Sequence, residues 1–476
     1  MSRTEPPGVD SGLDSDPGAG VLADRPRSAT PAPAPRHPDR QPDGSPGGGS
    51  PGGGDRSLAA LLRRLAPADR ELAGWWLVSR LGFLAVLLTA PAVFAGLTDA
   101  AGSTPSLADA LTRWDAVHFQ AIAAHGYTPG VPGDEQPTGV PLEAFFPGFP
   151  ALLALFHLVG FPYALTGVLS GLVFGGAAAW ALARLATLEP GVDAARDPGV
   201  GVRAALLWTA APLAVFVAVP YSEAPFLGLA FPAWLAARRH RWGTACLLAA
   251  GASLFRISGV YLALALLVQF LVVQLGDRSS LPDDPSEGRS DDATEHLTEN
   301  PAATAARVRR DWRLLPLFVV PVLPVLAYFG YLWQASGNYR LWFDVQALVW
   351  YRTFTPPWTS LATTWTNAFD GRQSPDYAWM FGAELVAFAV GVVLTVVLLR
   401  RRRWAEAVFV GAQLASYCTS YWLMSVPRAT LTWWPLWTMA AVALARRPWL
   451  QRSWFVVSIS LAAVWTAAYL RSQWAG

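Results

Sequence analysis

The chain contains few charged residues and few cysteines. Only 15% of its 476 residues are charged, against roughly 25% in a soluble domain, and all 36 basic residues are arginine. Cys246 and Cys418 both lie in apolar runs, so their number and spacing exclude a disulfide framework and a CxxC metal site. Because the N-terminal residues contain no apolar core, we expect no cleavable signal peptide.

The sequence also lacks the common motifs of nucleotide-driven and hydrolytic enzymes. It contains no GxxxxGK[ST] P-loop, no GxSxG, no HExxH and no Gly-rich dinucleotide fingerprint. A net charge of +2 without a basic, aromatic-rich stripe gives no sign of nucleic-acid binding. With no soluble domain to bind a nucleotide-sugar, a transferase of this composition needs an activated donor already in the membrane, on its outer face.

Long apolar runs fill most of the chain. Hydrophobic residues make up 53% of it and the mean hydropathy is +0.30, and runs of roughly 15–25 residues suffice to cross a hydrocarbon layer of about 30 Å. A β-barrel would instead show short alternating strands. We therefore predict an all-α polytopic membrane protein with about eleven transmembrane helices. They are expected near 74–97, 162–186, 204–219, 222–237, 242–255, 258–275, 314–333, 377–399, 404–424, 430–445 and 454–470.

Two polar segments divide these helices into blocks. Residues 1–70, which include GSPGGGSPGGG, and residues 276–312 hold too little apolar surface to offset the entropy of ordering, so we predict that both are disordered and cytoplasmic. The transmembrane blocks are then 71–275 and 313–476. Arginine clusters mark the cytoplasmic side, and they place the loops 98–161 and 334–376 outside a cell membrane. These clusters are the arginines before the first helix and those at 238–241, 307–313, 400–403 and 446–447.

One apolar run, 146–160, is too short for an ordinary span. Counting it as one would invert the sidedness of every later arginine cluster. We therefore predict an interfacial or re-entrant helix on the outer face.

The first outer loop carries the stretch RWDAVHFQAIAAHGY, residues 113–127. Ser106 and Asp109 have the spacing of a capping box, and Gly126 suits a helix end. The apolar residues in between follow a helical period, so we predict an amphipathic helix over 107–125 on the outer membrane surface.

Asp115, His118, Phe119 and Ile122 share one face of that predicted helix. A solvated polar face is the alternative interpretation. The aromatic neighbours favour a site shielded from water, where the pKa of a carboxyl group rises and the group becomes usable as a general base. We predict that Asp115 is the general base and that His118 orients a substrate. Trp114 is expected either to anchor the helix in the membrane or to contact the donor.

Four further polar blocks fall on the same predicted outer face: PYSEAPF at 220–226, FRISG at 255–259, SGNYRLWFDVQALVWYR at 336–352 and MSVPRAT at 424–430. The candidate substrate- or donor-binding residues of these blocks and the first loop are Trp114, Glu143, Tyr221, Glu223, Arg256, Gln346, Trp350, Arg352 and Arg428.

Specific roles follow for several of these side chains. Arg256, Arg352 or Arg428 can clamp a phosphate, because a guanidinium group binds phosphate oxygens in a bidentate manner, although each could instead be an interface anchor. Glu143 and Glu223 are candidate acceptors for sugar hydroxyl groups.

Trp342 and Trp350 offer aromatic faces for stacking on a sugar ring. Membrane-interface anchoring is the alternative for both, because tryptophan is enriched at that level. A divalent metal is possible but not required, since no nucleotide pyrophosphate needs binding and the first loop has no paired DxD.

The block RWDAVHFQAIAAHGY followed by EAFFPGFP resembles the first-loop signature of the PIG-V-type GPI mannosyltransferase family, within the GT-C class of polyprenol-dependent glycosyltransferases. The four later blocks resemble that family in the same order, so the resemblance covers residues 74–470. It implies a multi-span fold with an extracytoplasmic catalytic loop, a polyprenyl-phosphate-mannose donor and inverting transfer to an acceptor hydroxyl. It also puts Asp115 at the position of the essential acidic residue. The acceptor, a lipid, glycan or protein, stays open.

Two other functions compete with this one. A GT-C transferase of another sugar, such as arabinose or glucose, fits the same residues. A lipid or sugar transporter would place its polar groups near mid-membrane within repeated halves. No such repeat is seen here and the polar groups collect at one face, so transport is disfavoured.

Overall fold

The computed structural model describes residues 66–93, 106–276 and 311–471. Within these ranges the chain forms helices and no strand, which confirms the all-α class. The predicted disordered segments 1–70 and 276–312 lie outside the described residues except at their inner ends. The helices are α1 Pro67–Val93, α2 Leu107–Leu111, α3 Asp115–His125, α4 Gly148–His157, α5 Tyr163–Thr187, α6 Val200–Thr209, α7 Glu223–Arg238, α8 Trp242–Ser253, α9 Ser258–Leu275, α10 Leu323–Ser336, α11 Leu341–Trp350, α12 Pro357–Phe369, α13 Pro375–Arg400, α14 Trp404–Cys418, α15 Val426–Ala429, α16 Trp434–Ala445 and α17 Pro448–Leu470.

Six helical segments in the described ranges are long and apolar enough to cross a membrane: Pro67–Thr89, Tyr163–Thr187, Ser258–Leu275, Trp312–Ser336, Tyr377–Arg400 and Pro448–Leu470. The other five predicted spans form the shorter helices α6, α7, α8, α14 and α16, of 10 to 16 residues. A helix of 16 residues is about 24 Å long, less than the roughly 30 Å of a hydrocarbon core. By length and composition, six of the eleven predicted spans therefore form helices long enough to cross the membrane within the described residues.

The helix α7 shows that an apolar run can be buried within the protein. Its residues are buried on nearly every side, and it packs against α5 and α8. An apolar run signals burial, but it does not distinguish burial in protein from burial in lipid. Glycine permits the close packing, because a Cβ at Gly228 would lie 2.5 Å from the carbonyl oxygen of Phe174 in α5.

The apolar run 146–160 contains the ten-residue helix α4. At about 15 Å this helix is too short to cross a bilayer, as the sequence suggested. Phe149 and Leu153 are buried against the protein, whereas Leu158 and Val159 after the helix are 83% and 70% exposed. Its placement at the outer membrane surface stays a prediction.

A buried charged cluster joins the start of α14 to the connection that follows α5. Arg403 lies 2.7 Å from Glu189 and 2.7 Å from Glu406, and Thr438 of α16 donates a hydrogen bond of 2.5 Å to Glu189. Nη1 of Arg238 lies 3.8 Å from Oε1 of Glu406, so two arginines balance the two carboxylates of this cluster. The opposite end of α14 leads towards the site described below.

Candidate active site

The predicted helix over 107–125 is broken in two. Ser106 and Asp109 form the expected capping box at the start of α2, and Gly126, with φ of 80°, caps the end of α3. Between the two helices Trp114 adopts φ of 52°, which is an outlier for a bulky residue. The prediction of one continuous helix is therefore wrong, and Asp115 becomes the first residue of α3.

Two buried tyrosines hold the backbone at this break. The Tyr469 hydroxyl donates a hydrogen bond of 2.8 Å to the carbonyl of Leu111 and lies 3.4 Å from that of Arg113. The backbone N–H of Asp115 donates to the Tyr221 hydroxyl at 3.2 Å, and this hydroxyl lies 3.4 Å from the same Arg113 carbonyl. The position of Asp115 thus depends on residues far away in the sequence.

Asp115 opens onto a cavity of about 560 Å³. Most of the predicted site residues line it, namely Trp114, Asp115, His118, Tyr221, Arg256, Gln346, Trp350, Arg352 and Arg428. They come from both predicted transmembrane blocks, so the cavity joins the two.

A chain of alternating charges lies along one wall of this cavity. Nη1 of Arg428 is 3.1 Å from Oδ2 of Asp115, and Nε of Arg428 is 3.1 Å from Oε1 of Glu223. Nη1 of Arg256 is 2.6 Å from the same oxygen of Glu223. Glu223 is only 1% exposed and lies behind the arginines, so here it positions two guanidinium groups and does not face the cavity.

Arg428 is the central cation of this chain. Its guanidinium group also lies over the rings of Phe216 and Tyr221, and burial alone would lower its pKa. Glu223 and Asp115 outweigh that effect and raise the pKa of Arg428 above its ordinary value. Arg428 is therefore a permanent positive charge directly beside the candidate base.

Arg352 brings a third guanidinium group to the cavity. It follows Tyr351, whose φ of 53° ends α11, and its backbone N–H donates to the carbonyl of Gln346 at 3.1 Å. Its Nε atom is buried and has no hydrogen-bond partner within the described part of the chain. Burial lowers the pKa of Arg352, yet guanidinium groups stay protonated in proteins, so this cation can serve a bound anion.

His118 lies one helical turn after Asp115 and faces the same cavity. Its ring packs 5.0 Å from the ring of Phe145, and its Nδ1 atom is buried with no partner among the described residues. Burial lowers the pKa of His118, and the nearby Asp115 carboxylate offsets only part of that shift. The imidazole is therefore neutral at pH 7 and can exchange hydrogen bonds with a ligand.

Glu143, like Glu223, is a predicted site residue that does not line the main cavity. Its side chain is buried and accepts a hydrogen bond of 3.2 Å from Gln136, and burial raises its pKa. It lines a separate pocket of about 240 Å³ that Asp344 also lines. The geometry gives it no contact with the main cavity.

Aromatic side chains form much of the remaining cavity wall. Trp350 packs edge-on against Phe145, with ring centres 5.5 Å apart, and the indole N–H of Trp342 donates to the carbonyl of Ala144 at 3.2 Å. Several other lining residues were not predicted from the sequence: Gln373, Tyr377, Phe381, Trp422, Met424 and Ser425. Of these six, Met424 and Ser425 lie in the polar block at 424–430.

No group of three or more His, Cys, Asp or Glu side chains in the described ranges is arranged to hold a metal ion. The cavity's ionisable lining is instead dominated by arginine. Its chemistry points to an anionic ligand with an uncharged, ring-shaped portion against the aromatic walls.

Known proteins match part of the chain that builds this cavity. Residues 84–275 match the family described as mannosyltransferase (PIG-V). Human GPI alpha-1,6-mannosyltransferase 2 is 36% identical over 158 residues, which are 32% of this chain and 29% of the human protein. The mouse protein of the same name is 37% identical over 158 residues, covering 30% of this chain and 28% of its own length. These matches support a PIG-V-type family for the chain.

The chain spans less than a third of the length of each of these two relatives. The family match, over residues 84–275, includes Asp115, His118, Glu223 and Arg256 and ends before Arg428. The carboxylates of the charged chain thus lie in the matched region, and the arginine that joins them lies beyond it.

Proposed function

We propose that this protein is an integral-membrane mannosyltransferase that uses a polyprenyl-phosphate-linked mannose donor. The observation that carries the proposal is the Asp115–Arg428 pair, 3.1 Å apart on the wall of a cavity that two further guanidinium groups line. The family match independently supports a mannosyltransferase. On this proposal the site faces the outside of a cell membrane, because the arginine clusters of the opposite helix ends mark the cytoplasmic side.

The arginines suit the phosphate of such a donor. Arg256 and Arg428 are held by Glu223 and Asp115, whereas the Nε atom of Arg352 has no hydrogen-bond partner in the described residues. A phosphate between them would receive charge-assisted hydrogen bonds, and these strengthen as the leaving group gains charge. Polyprenyl phosphate can therefore depart without a protonating acid.

Asp115 is the general base of the reaction. Arg428 engages its Oδ2 atom, and we assign Oδ1 to the acceptor hydroxyl. The acceptor oxygen forms a bond to the anomeric carbon as the carbon–oxygen bond to phosphate breaks. The hydroxyl proton passes to Asp115, the electron pair leaves with the phosphate, and attack from the opposite face inverts the anomeric carbon.

Neutral His118 and the aromatic walls would orient the sugar. His118 has an imidazole nitrogen without a partner in the described chain, so a sugar or acceptor hydroxyl can satisfy it. Trp350 presents a half-buried indole at the same cavity. A sugar stacked on it would occupy the cavity that the three arginines and Asp115 also line.

The proposal is tested with radiolabelled polyprenyl-phosphate-mannose in membranes that contain the full chain. Loss of a general base lowers rates by about 10²–10⁴-fold, so we expect Asp115→Asn to slow transfer to that extent. Asp193→Asn, which changes an exposed carboxylate paired with Arg196, is the control and should leave transfer unchanged. Wild-type transfer by a correctly inserted Asp115→Asn protein would refute the assignment.

The same assay tests the identity of the sugar. Polyprenyl-phosphate donors that carry arabinose or glucose are offered beside the mannose donor at equal concentration. We expect mannose to be transferred fastest. Preferred transfer of another sugar would keep the catalytic assignment and change the donor.

A further inference from the structure

Each partner of the Asp115–Arg428 pair lies close in sequence to a residue whose backbone adopts a conformation that most residues avoid. Trp114, directly before Asp115, has φ of 52°, and Ser425, three residues before Arg428, has φ of 68°. Non-glycine residues adopt such angles at an energetic cost and keep them only where the surrounding structure enforces them. The two irregular turns therefore require something that holds them.

Tyr469 holds the first turn from the end of the last helix, α17. Its hydroxyl donates to the carbonyl of Leu111 at 2.8 Å, just before the break that aims Asp115. The side chain is fully buried and is not part of the cavity lining. It lies 356 residues from Arg113, whose carbonyl is 3.4 Å from the same hydroxyl.

Glu384 holds the second turn from inside α13. Its two carboxylate oxygens accept hydrogen bonds from the backbone N–H groups of Ser425 at 2.7 Å and Val426 at 2.8 Å. These N–H groups begin the short helix α15, which carries Arg428. Glu384 is 1% exposed and, like Tyr469, lies outside the cavity lining and outside residues 84–275, which match the mannosyltransferase (PIG-V) family.

We propose that Tyr469 and Glu384 are positioning residues that fix the backbone on either side of the Asp115–Arg428 pair. This inference rests on the proposed function, since it gives Asp115 and Arg428 their roles. Reaction rates are sensitive to displacements of about 1 Å in the reacting groups. A hydroxyl or carboxylate that fixes a strained turn therefore affects turnover without touching the substrate.

The first test compares two hydroxyl deletions in the same helix. Tyr469→Phe removes the hydrogen bond to the Leu111 carbonyl. The control, Ser458→Ala, removes another hydrogen bond made by α17, of 2.6 Å, to the carbonyl of Ala210. Ala210 precedes the 3₁₀ turn Ala214–Val217. We expect Tyr469→Phe to lower kcat by about tenfold or more with little change in the donor KM. Ser458→Ala should keep kcat, even where both variants lower the melting temperature.

The second test replaces Glu384 with glutamine of the same shape. A glutamine side chain replaces one carboxylate oxygen by an NH₂ group, which cannot accept a hydrogen bond. In the present geometry, where each N–H bonds a different oxygen, one of the two bonds is therefore lost. We expect kcat to fall by about tenfold or more with the donor KM little changed. Glu189→Gln, in the buried cluster with Arg403, is the matched control and should change stability but not kcat.

The outcomes separate this inference from the proposed function. Wild-type transfer by Asp115→Asn overturns both. If Asp115→Asn is inactive but Tyr469→Phe and Glu384→Gln keep kcat as their controls do, only the positioning roles are wrong. If Tyr469→Phe yields no folded protein, Glu384→Gln tests the positioning roles alone. A lower kcat with an unchanged donor KM would support them, and an unchanged kcat would overturn them.

Discussion

Arg428 contacts Asp115 across 313 residues of sequence, with 3.1 Å between Nη1 and Oδ2. One partner begins α3 and the other lies in the four-residue helix α15. Arg428 also reaches the buried Glu223, so a single guanidinium group joins three separate segments of the chain. The candidate site is therefore complete only when both halves of the chain are folded together.

Replacing Arg428 should affect both turnover and stability. Arg428→Lys retains a positive charge, but an ammonium group cannot bridge Asp115 and Glu223 as a planar guanidinium does. We expect transfer to fall by about 10²–10³-fold, the usual effect of removing one donor that stabilises developing charge. Arg428→Ala should also lower the free energy of unfolding by about 3–5 kcal/mol, because Glu223 loses one buried partner.

The control for Arg428 is the exposed Arg196, which pairs with Asp193 at the surface. Arg196→Ala should leave both transfer and the melting temperature of the purified protein unchanged, since surface ion pairs contribute little. An Arg428→Lys protein with full transfer activity would contradict the bridging role.

His118 should make stability depend on pH. Burial lowers the pKa of His118 in the folded state, so as the pH falls the unfolded chain binds a proton before the folded protein does. The contribution of neutral His118 to stability is therefore present above the ordinary imidazole pKa and is lost as the pH falls below it. The melting temperature of the wild-type protein should therefore drop between pH 7.5 and pH 5 more than that of His118→Gln. The exposed His125 provides the control, and the melting temperature of a His125→Gln protein should change with pH as that of the wild type does. Identical pH curves for all three proteins would refute the prediction.

Close packing between α5 and α7 can be tested with a single methyl group. Gly228→Ala places a Cβ about 2.5 Å from the Phe174 carbonyl oxygen, and we expect a loss of about 1–3 kcal/mol from overpacking. Gly243→Ala, in α8 with nothing within 4 Å of the added atom, should be neutral or stabilise the protein by roughly 0.5–1 kcal/mol. Thermal unfolding of the detergent-solubilised variants measures both, and equal melting temperatures would argue against the close contact.

The cluster around Arg403 should stabilise the fold without affecting the chemistry. Arg403→Ala leaves Glu189 and Glu406 buried without their main partner, so the free energy of unfolding should fall by about 3–5 kcal/mol. The site lies beyond the opposite end of α14, about 22 Å away by the rise of a 15-residue helix. We expect kcat per folded molecule to stay at the wild-type value, and a large drop in kcat at unchanged stability would contradict this.

Local signals in the sequence predicted much of the framework. Apolar runs located the six helical segments of the described ranges that are long and apolar enough to cross a membrane, and the bounds of α9 agree with the predicted 258–275. The capping box at Ser106 and the stop at Gly126 were also correct. These features depend on hydrophobic length and on hydrogen bonds within a few residues, so they are readable without knowledge of the fold.

Features that depend on distant contacts could not be read in this way. The break at Trp114 needs Tyr221 and Tyr469, which come from other segments. Glu143 and Glu223 were both predicted as acceptors for sugar hydroxyl groups, but Glu143 lines another pocket and Glu223 pairs with two arginines. Residue type alone does not reveal which charges a folded chain will neutralise internally.

The amino-acid sequence by itself determined the helical class, several helix ends and the set of polar blocks that could form a site, because hydropathy and capping act over short distances. Only the tertiary structure decided that Asp115 begins a helix, that Arg428 pairs with it, and that Tyr469 and Glu384 hold the two turns. Ion pairs and buried hydrogen bonds form between atoms about 3 Å apart. Which atoms come that close depends on how separate helices pack, and no local pattern in the sequence records it.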